Sequence, residues 1–535
     1  MSATFCVIAL LVAAFEAFAP DASAAAEPSP LPSPPGFMKT TTSLTDVVAA
    51  ADKAFGHPQQ PVHSTTETFT VTSKSGTALG TMQSIGNDYT VTTTQSDMTL
   101  RYGAYQGQRW EQNYNGETTL IKGIHQEAYA NFGLLWRIAR LPGARLLGEV
   151  AVPSSYVVEV TPEDGPRTWL FFDKTSGLLD QAVEFGSVPY RMEFTRYQSV
   201  DGVTLANHVH FIYSSSATDE DLTSRRYNDA IAPEALQIPK SRTLVEFPAS
   251  VSSTRLPAHI AQGSGRVVIR ITIAGRGLDL LLDSGSSGIV LDRTVASELG
   301  LTPVGHLGPD NEQLHAMVPE IDIGQLRMHN AIVETADVED YPDETTKVVG
   351  LLGYDFIKGA VLKIDYVHGT VDAYDPSSFV APPGAQPIEA TLDDYVPMVA
   401  CVVGNATAQN VIVDTGSYDM LLVFSHFANA HFNGTPDPNK NVFARRFFPL
   451  MGGYVPVAQY YIGSVQFGGF TFGDVLAYVT YHVPEFEMSQ EDSDGIMGQS
   501  FLLYFDVYFD YPHRLLYVTP NQTLNNVLQT PKPAK

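Results

Sequence analysis

The sequence predicts a mainly β protein of several domains. Helical periodicity is scarce, whereas short alternating runs bounded by Gly, Asn and Asp are frequent. At 535 residues the chain is also too long for a single hydrophobic core, so about two to four domains are expected. The third observation is an internal duplication. An apolar run ending in Asp, a hydroxyl residue, Gly and Ser occurs as Leu280-Leu281-Leu282-Asp283-Ser284-Gly285-Ser286 and again as Val411-Ile412-Val413-Asp414-Thr415-Gly416-Ser417.

Residues 1–25 read as a signal peptide: 7–15 are apolar, and Ala22-Ser23-Ala24-Ala25-Ala26 offers small-residue cleavage sites. No Lys or Arg precedes the apolar run and Glu16 lies near its end, so an uncleaved anchor or a misjudged start is the alternative. The expectation is an exported protein, periplasmic or secreted. No later stretch reaches the roughly 18 apolar residues of a membrane span, so no stable span is expected after signal removal. Cleavage would remove Cys6 and leave Cys401 alone in an apolar strand, a packing residue rather than a reactive thiol.

Residues 26–40 form a Pro-rich linker, with Pro28, Pro30, Pro32, Pro34 and Pro35. A β-rich domain is expected over 41–246. Its signals include the alternating run 89–94, a turn at Asp173-Lys174-Thr175-Ser176-Gly177 and another at Asp201-Gly202; 126–138 is its best helical candidate. His208-Val209-His210 is read as an ordinary strand pair, since no third zinc ligand is evident. Two repeated domains follow at 255–380 and 385–520, each opening with a hairpin: 267–273 turning at 275–277 into 278–282, and 396–403 turning at Gly404-Asn405 into 411–413. Residues 293–299 suit a short helix closed by Gly300. The tail, 521–535, is polar, carries Pro531 and Pro533, and is expected to fray.

The duplication extends beyond the Asp motifs. Asp414 follows Asp283 by 131 residues, but Gly468 follows Gly324 by 144 and Gly498 follows Gly353 by 145. One insertion of about 13 residues between Asp414 and Gly468 accounts for the change. Asp365-Tyr366-Val367-His368 is likewise echoed by Asp510-Tyr511-Pro512-His513. The net charge of −26 argues against nucleic acid or an anionic membrane as partner. No G-x-S-x-G, H-E-x-x-H or phosphate-loop motif competes.

On these motifs, 255–520 resembles two retropepsin-like aspartic protease domains in tandem. Each copy has the family's D-[ST]-G turn and its later apolar-apolar-Gly motif, Leu351-Leu352-Gly353 and Ile496-Met497-Gly498. The resemblance implies two β-barrel lobes paired as a pseudo-dimer within one chain, the alternative being a homodimer of chains. It implies a cofactor-free and metal-free endopeptidase acting on a peptide or protein substrate, with Asp283 and Asp414 sharing one proton. It further implies that Ser284 and Thr415 bond across to the opposite loop and that Ser286 and Ser417 bond to the carboxylates. Gly285 and Gly416 would permit close backbone approach. A substrate-covering flap is expected at Gly452, Gly453 and Tyr454, with 308–311 a poorer counterpart and a surface loop the bland alternative for both. A fold retained without catalysis, serving to bind peptide or lipid, is the competing reading; a latent protease inhibited by its N-terminal domain is a third. The runs 171–186 and 197–209 resemble the curved antiparallel sheet of bacterial lipoprotein carriers of the LolA/LolB type.

Overall fold

A computed structural model describes residues 37–529, apart from 74–75, 122–131, 163–166, 186–189, 213–216, 262–263, 308–312, 339–346, 393–394, 419, 433–445, 451–452, 474 and 481–492. The signal and nearly all of the Pro-rich linker therefore lie outside the described residues. The protein is mainly β, with 56% strand and large curved antiparallel sheets. Its contacts separate two compact units, one built on residues up to Ser241 and one beginning at Arg242.

The first unit is a 13-stranded antiparallel sheet. Most neighbours are consecutive hairpins, but the first strand, Thr65–Ser73, pairs with the last, Ala217–Tyr227, and so joins two meanders. Helix Leu44–Phe55 starts at a Ser43–Asp46 capping box and buries Val47, Ala51 and Phe55. Phe55 stacks on Trp136 at 4.5 Å, within the core that faces the sheet. Of the helix expected at 126–138, residues 122–131 are not described; Phe132–Arg140 is a 3-10 helix, not an α-helix. The turn at 173–177 forms because Asp173 Oδ1 accepts the N–H groups of Thr175 and Ser176. His208 and His210 each meet a carboxylate on the adjacent strand, Asp221 at 2.9 Å and Asp219 at 2.8 Å. Among the described residues no group of side chains has the make-up of a metal site.

In the second unit, hairpin Val267–Ile273/Arg276–Leu282 turns at Ala274-Gly275, one position earlier than the sequence suggests. Arg276–Leu282 then pairs in parallel with Val348–Leu352. That strand pairs antiparallel with Ile289–Asp292, which in turn runs parallel to Leu326–Ala336. The second half repeats this order. Hairpin Met398–Val403/Ala406–Val413 is followed by a parallel pair with Gly495–Met497, an antiparallel pair with Leu421–Val423, and a parallel pair of that strand with Leu476–Thr480. Helix Arg293–Glu298, capped by Asp292, corresponds to helix Ser425–His431.

Six antiparallel strands join the halves, in the order Ser253–Arg255, Thr370–Tyr374, Val361–Asp365, Phe505–Asp510, Leu515–Pro520 and Gln386–Thr391. At its centre Ile364 lies opposite Val507, and one continuous apolar core spans both halves. The Asp-Tyr-x-His echo is explained by this symmetry. Asp365 and Asp510 end the two central strands and accept the N–H of His368 and His513, at 3.0 and 3.3 Å.

Two boundaries differ from the sequence reading. Strand Val245–Glu246 belongs to the second unit, because it pairs with Met328 and Arg327 and its valine fills the space over Gly359. Residues 522–529 are helical, where a frayed tail was expected; Asn521 Oδ1 accepts the N–H groups of Thr523 and Leu524, and Leu524 is buried. Cys401 is buried in its strand as expected, and burial pushes its thiol pKa up to about 12.

Candidate active site

Each parallel strand pair delivers one Asp loop to the middle of the second unit. Asp283 N donates to Leu352 O at 3.1 Å and Asp414 N to Met497 O at 2.9 Å, so each loop leaves its sheet at the apolar-apolar-Gly motif. The loops then interlock. Ser284 Oγ donates to Val413 O at 2.7 Å while accepting from Thr415 N at 2.9 Å. Reciprocally, Thr415 Oγ1 donates to Leu282 O at 2.8 Å and accepts from Ser284 N at 3.0 Å. Both hydroxyl residues are fully buried. The hydroxyl and the amide of both Ser284 and Thr415 are thereby paired, as such burial requires.

The crossing sets the two carboxylates side by side. Gly285 N donates to Asp283 Oδ1 at 2.8 Å, and Gly416 N and Ser417 N donate to Asp414 Oδ1 at 2.7 and 3.2 Å. A Cβ placed on Gly285 would stand 2.7 Å from the Asp414 carboxyl carbon, and one on Gly416 would stand 2.5 Å from that of Asp283. Each glycine is thus the floor for the other half's carboxylate. Burial raises both carboxyls above the usual range, and the neighbouring Asp414 charge raises Asp283 further. Both shifts favour the protonated form of the paired carboxyls.

The two outer serines depart from expectation. Ser286 Oγ donates to Gly288 O at 3.0 Å, not to a carboxylate. Ser417 Oγ is buried without a hydrogen-bond partner among the described residues, and only its backbone N–H reaches Asp414. The turn geometry brings the backbone amides closer to the carboxylates than the side chains.

Two further residues hold the site from beneath, and the sequence reading did not single them out. The Tyr511 hydroxyl donates to Ser284 O at 3.4 Å, and Gln499 Nε2 donates to Thr415 O. Burial and the nearby Asp283 and Asp414 keep the Tyr511 phenol well above its ordinary pKa, hence neutral. Tyr511 contacts Tyr354, which contacts Tyr395. One of them breaks the twofold pattern: Gln499 stands where the first half has Tyr354, whereas Tyr511 matches Tyr366. The signal was present, since Gln499 follows the second Gly motif and Tyr511 lies in the Asp-Tyr-x-His echo.

Of the expected flap, Gly452 lies outside the described residues. Gly453 and Tyr454 open strand Gly453–Tyr461, which forms a hairpin with Arg446–Leu450. Residues 308–311 are outside the described residues as well.

The family described as aspartyl protease matches residues 269–356, which include Asp283 and Gly353 but not Asp414. No curated protein matches the chain. A solved LolA superfamily protein from Nitrosomonas europaea is similar at 12% identity and a TM-score of 0.28, covering 37% of this chain and 98% of that one. A DUF1329 family protein from Desulfovibrio piger is similar at 15% identity and a TM-score of 0.28, covering 36% and 98%.

Proposed function

We propose that this protein is an aspartic endopeptidase, with two tandem acid-protease domains whose Asp283 and Asp414 form one catalytic dyad. The observation that carries this reading is the reciprocal floor of the site, where each carboxylate rests on the other half's glycine and both pKa values are raised. In the half-ionised pair, the ionised member takes a proton from water as the water attacks the peptide carbonyl. The protonated member donates to the carbonyl oxygen, and the proton then passes to the leaving amine. The pair acts as a unit, so neither Asp is assigned acid or base alone. The match of the first half to the aspartyl protease family supports the same reaction class.

The substrate is an extended peptide or unfolded protein, no cofactor is required, and the chain acts as a monomer outside the cytoplasm. Cleavage of an unfolded protein between about pH 3 and 7 tests the reading. Wild-type activity lost in both Asp283→Asn and Asp414→Asn establishes the dyad. Activity surviving either change refutes it, and an inactive wild type, with or without residues 1–241, favours a binding protein.

A further inference from the structure

Gly285 and Gly416 each hold a carboxylate through a backbone N–H, and each N–H belongs to a planar peptide group whose other end is a carbonyl. Those carbonyls, Ser284 O and Thr415 O, belong to fully buried residues, and both are bonded. Gln499 Nε2 donates to Thr415 O, and the Tyr511 hydroxyl donates to Ser284 O at 3.4 Å. A relay therefore runs through each peptide group. One passes from Gln499 through Thr415 and Gly416 to Asp414 Oδ1, its last link being 2.7 Å. The other passes from Tyr511 through Ser284 and Gly285 to Asp283 Oδ1, its last link being 2.8 Å.

A donor at the carbonyl acts on the amide in two ways. Because the peptide group is rigid, holding its oxygen fixes where its N–H points. The donor also polarises the group, strengthening the next hydrogen bond by roughly 10–30%. A carboxylate held more tightly in its charged form gives up its proton at lower pH. Both donors are placed for this and little else. Gln499 Oε1 has no hydrogen-bond partner among the described residues, and the amide cannot turn over, since its oxygen would then face the Thr415 oxygen. Tyr366, the first-half match of Tyr511, has a hydroxyl with no hydrogen-bond partner among the described residues, so the role is not shared by the twofold mate. The titratable groups set against the two carboxyls are each other and the neutral Tyr511, with Tyr354 beside it.

We infer that Gln499 and Tyr511 are positioning residues of the dyad, each aiming and polarising the amide that holds one carboxylate, so that the pair works at lower pH than the loops alone would allow. The inference rests on the dyad proposed above. Its test uses the full chain carrying Tyr511→Phe, which keeps the ring, or Gln499→Met, which keeps the side-chain length; either variant decides alone. Two quantities are followed across about pH 3 to 8: kcat/KM for cleavage, and the carboxyl ¹³C resonances of Asp-labelled protein, the pair being identified by loss in Asp283→Asn and Asp414→Asn. In each variant both limbs of the rate profile and both steps of the carboxyl titration are expected to move up by about 0.3–0.5 unit, and by about twice that in the double variant. A purely structural support would lower the rate at every pH without moving either limb. Unmoved limbs and carboxyl steps, or a downward shift, overturn the inference while an active wild type leaves the peptidase reading intact. An inactive wild type whose carboxyl steps still move up in the variants has the opposite meaning: the peptidase reading fails and the positioning role stands.

Discussion

Gly285 and Gly416 show how little latitude the site allows. Ala at either position would place a methyl group within 3 Å of the opposite carboxylate, so it is expected to abolish peptide cleavage while the fold survives, as judged by circular dichroism. Removing one hydroxyl of the interlock acts on stability instead. Ser284→Ala leaves Thr415 N and Val413 O buried and unpaired, and should cost about 1–3 kcal/mol in denaturant unfolding. The aspartates behave in the opposite way. Their folded pKa values are raised, so their contribution to stability is present at acid pH, below the unfolded value of 3.8, and is lost as pH rises through the folded values. Asp283→Asn cannot ionise. It should therefore raise the melting temperature at neutral pH relative to wild type while eliminating activity, and a lower melting temperature there would refute the strained-dyad account. The Asp-Ser-Gly and Asp-Thr-Gly turns were legible because residue type and local chain geometry are coupled. The bonds of Ser286, Ser417, Gln499 and Tyr511 were not, because they depend on how the two halves meet.

At the level of elements, alternation and turn residues located most hairpins, including the one at Asp201-Gly202, where Val200 pairs with Val203. The shift in repeat offset also has a structural address. Helices Arg293–Glu298 and Ser425–His431 keep the early spacing, and strands Thr302–Leu307 and Arg446–Leu450 have the later one, so the insertion falls between Ser425–His431 and Arg446–Leu450. Helix Arg293–Glu298 is short and depends on its cap, Asp292 Oδ1 accepting from Val295 N at 3.1 Å. Asp292→Ala should cost about 1 kcal/mol in the same unfolding measurement. The sequence was less informative about the order of the 13-stranded sheet. Every strand in it reads alike locally, and nothing in either segment marks the closing pair, whose partners lie about 150 residues apart. The pairing of Val245–Glu246 escaped for the same reason, two residues being too few for a periodic signal.

Across the whole molecule, two buried titratable groups tie the two units to pH in opposite senses. In the first unit, burial chiefly, with Glu67 adding to it, raises Glu220 to about 8. Its contribution to stability is full below the unfolded value of 4.5 and is lost as pH rises through about 8. In the second unit, burial lowers His315 from 6.5 to about 4, so its contribution is full above 6.5 and falls away as pH drops toward 4. Melting temperatures of Glu220→Gln and His315→Gln relative to wild type should therefore trend in opposite directions with pH, the first difference rising toward pH 8 and the second toward pH 4. Parallel trends would contradict the assignment.

The pairing of Thr65–Ser73 with Ala217–Tyr227 also sets a timetable for synthesis. The earlier strand leaves the ribosome with Gly76–Ile85 following at once on one side, but its other neighbour lies about 150 residues downstream. At ~5–20 residues per second, that is a delay of roughly 8 to 30 s. Through this interval the growing chain carries an open backbone edge along a strand that ends up interior to the sheet. Such an edge can pair with the same segment of another nascent chain. A stall or truncation before residue 217 would leave the half-made sheet permanently in that form.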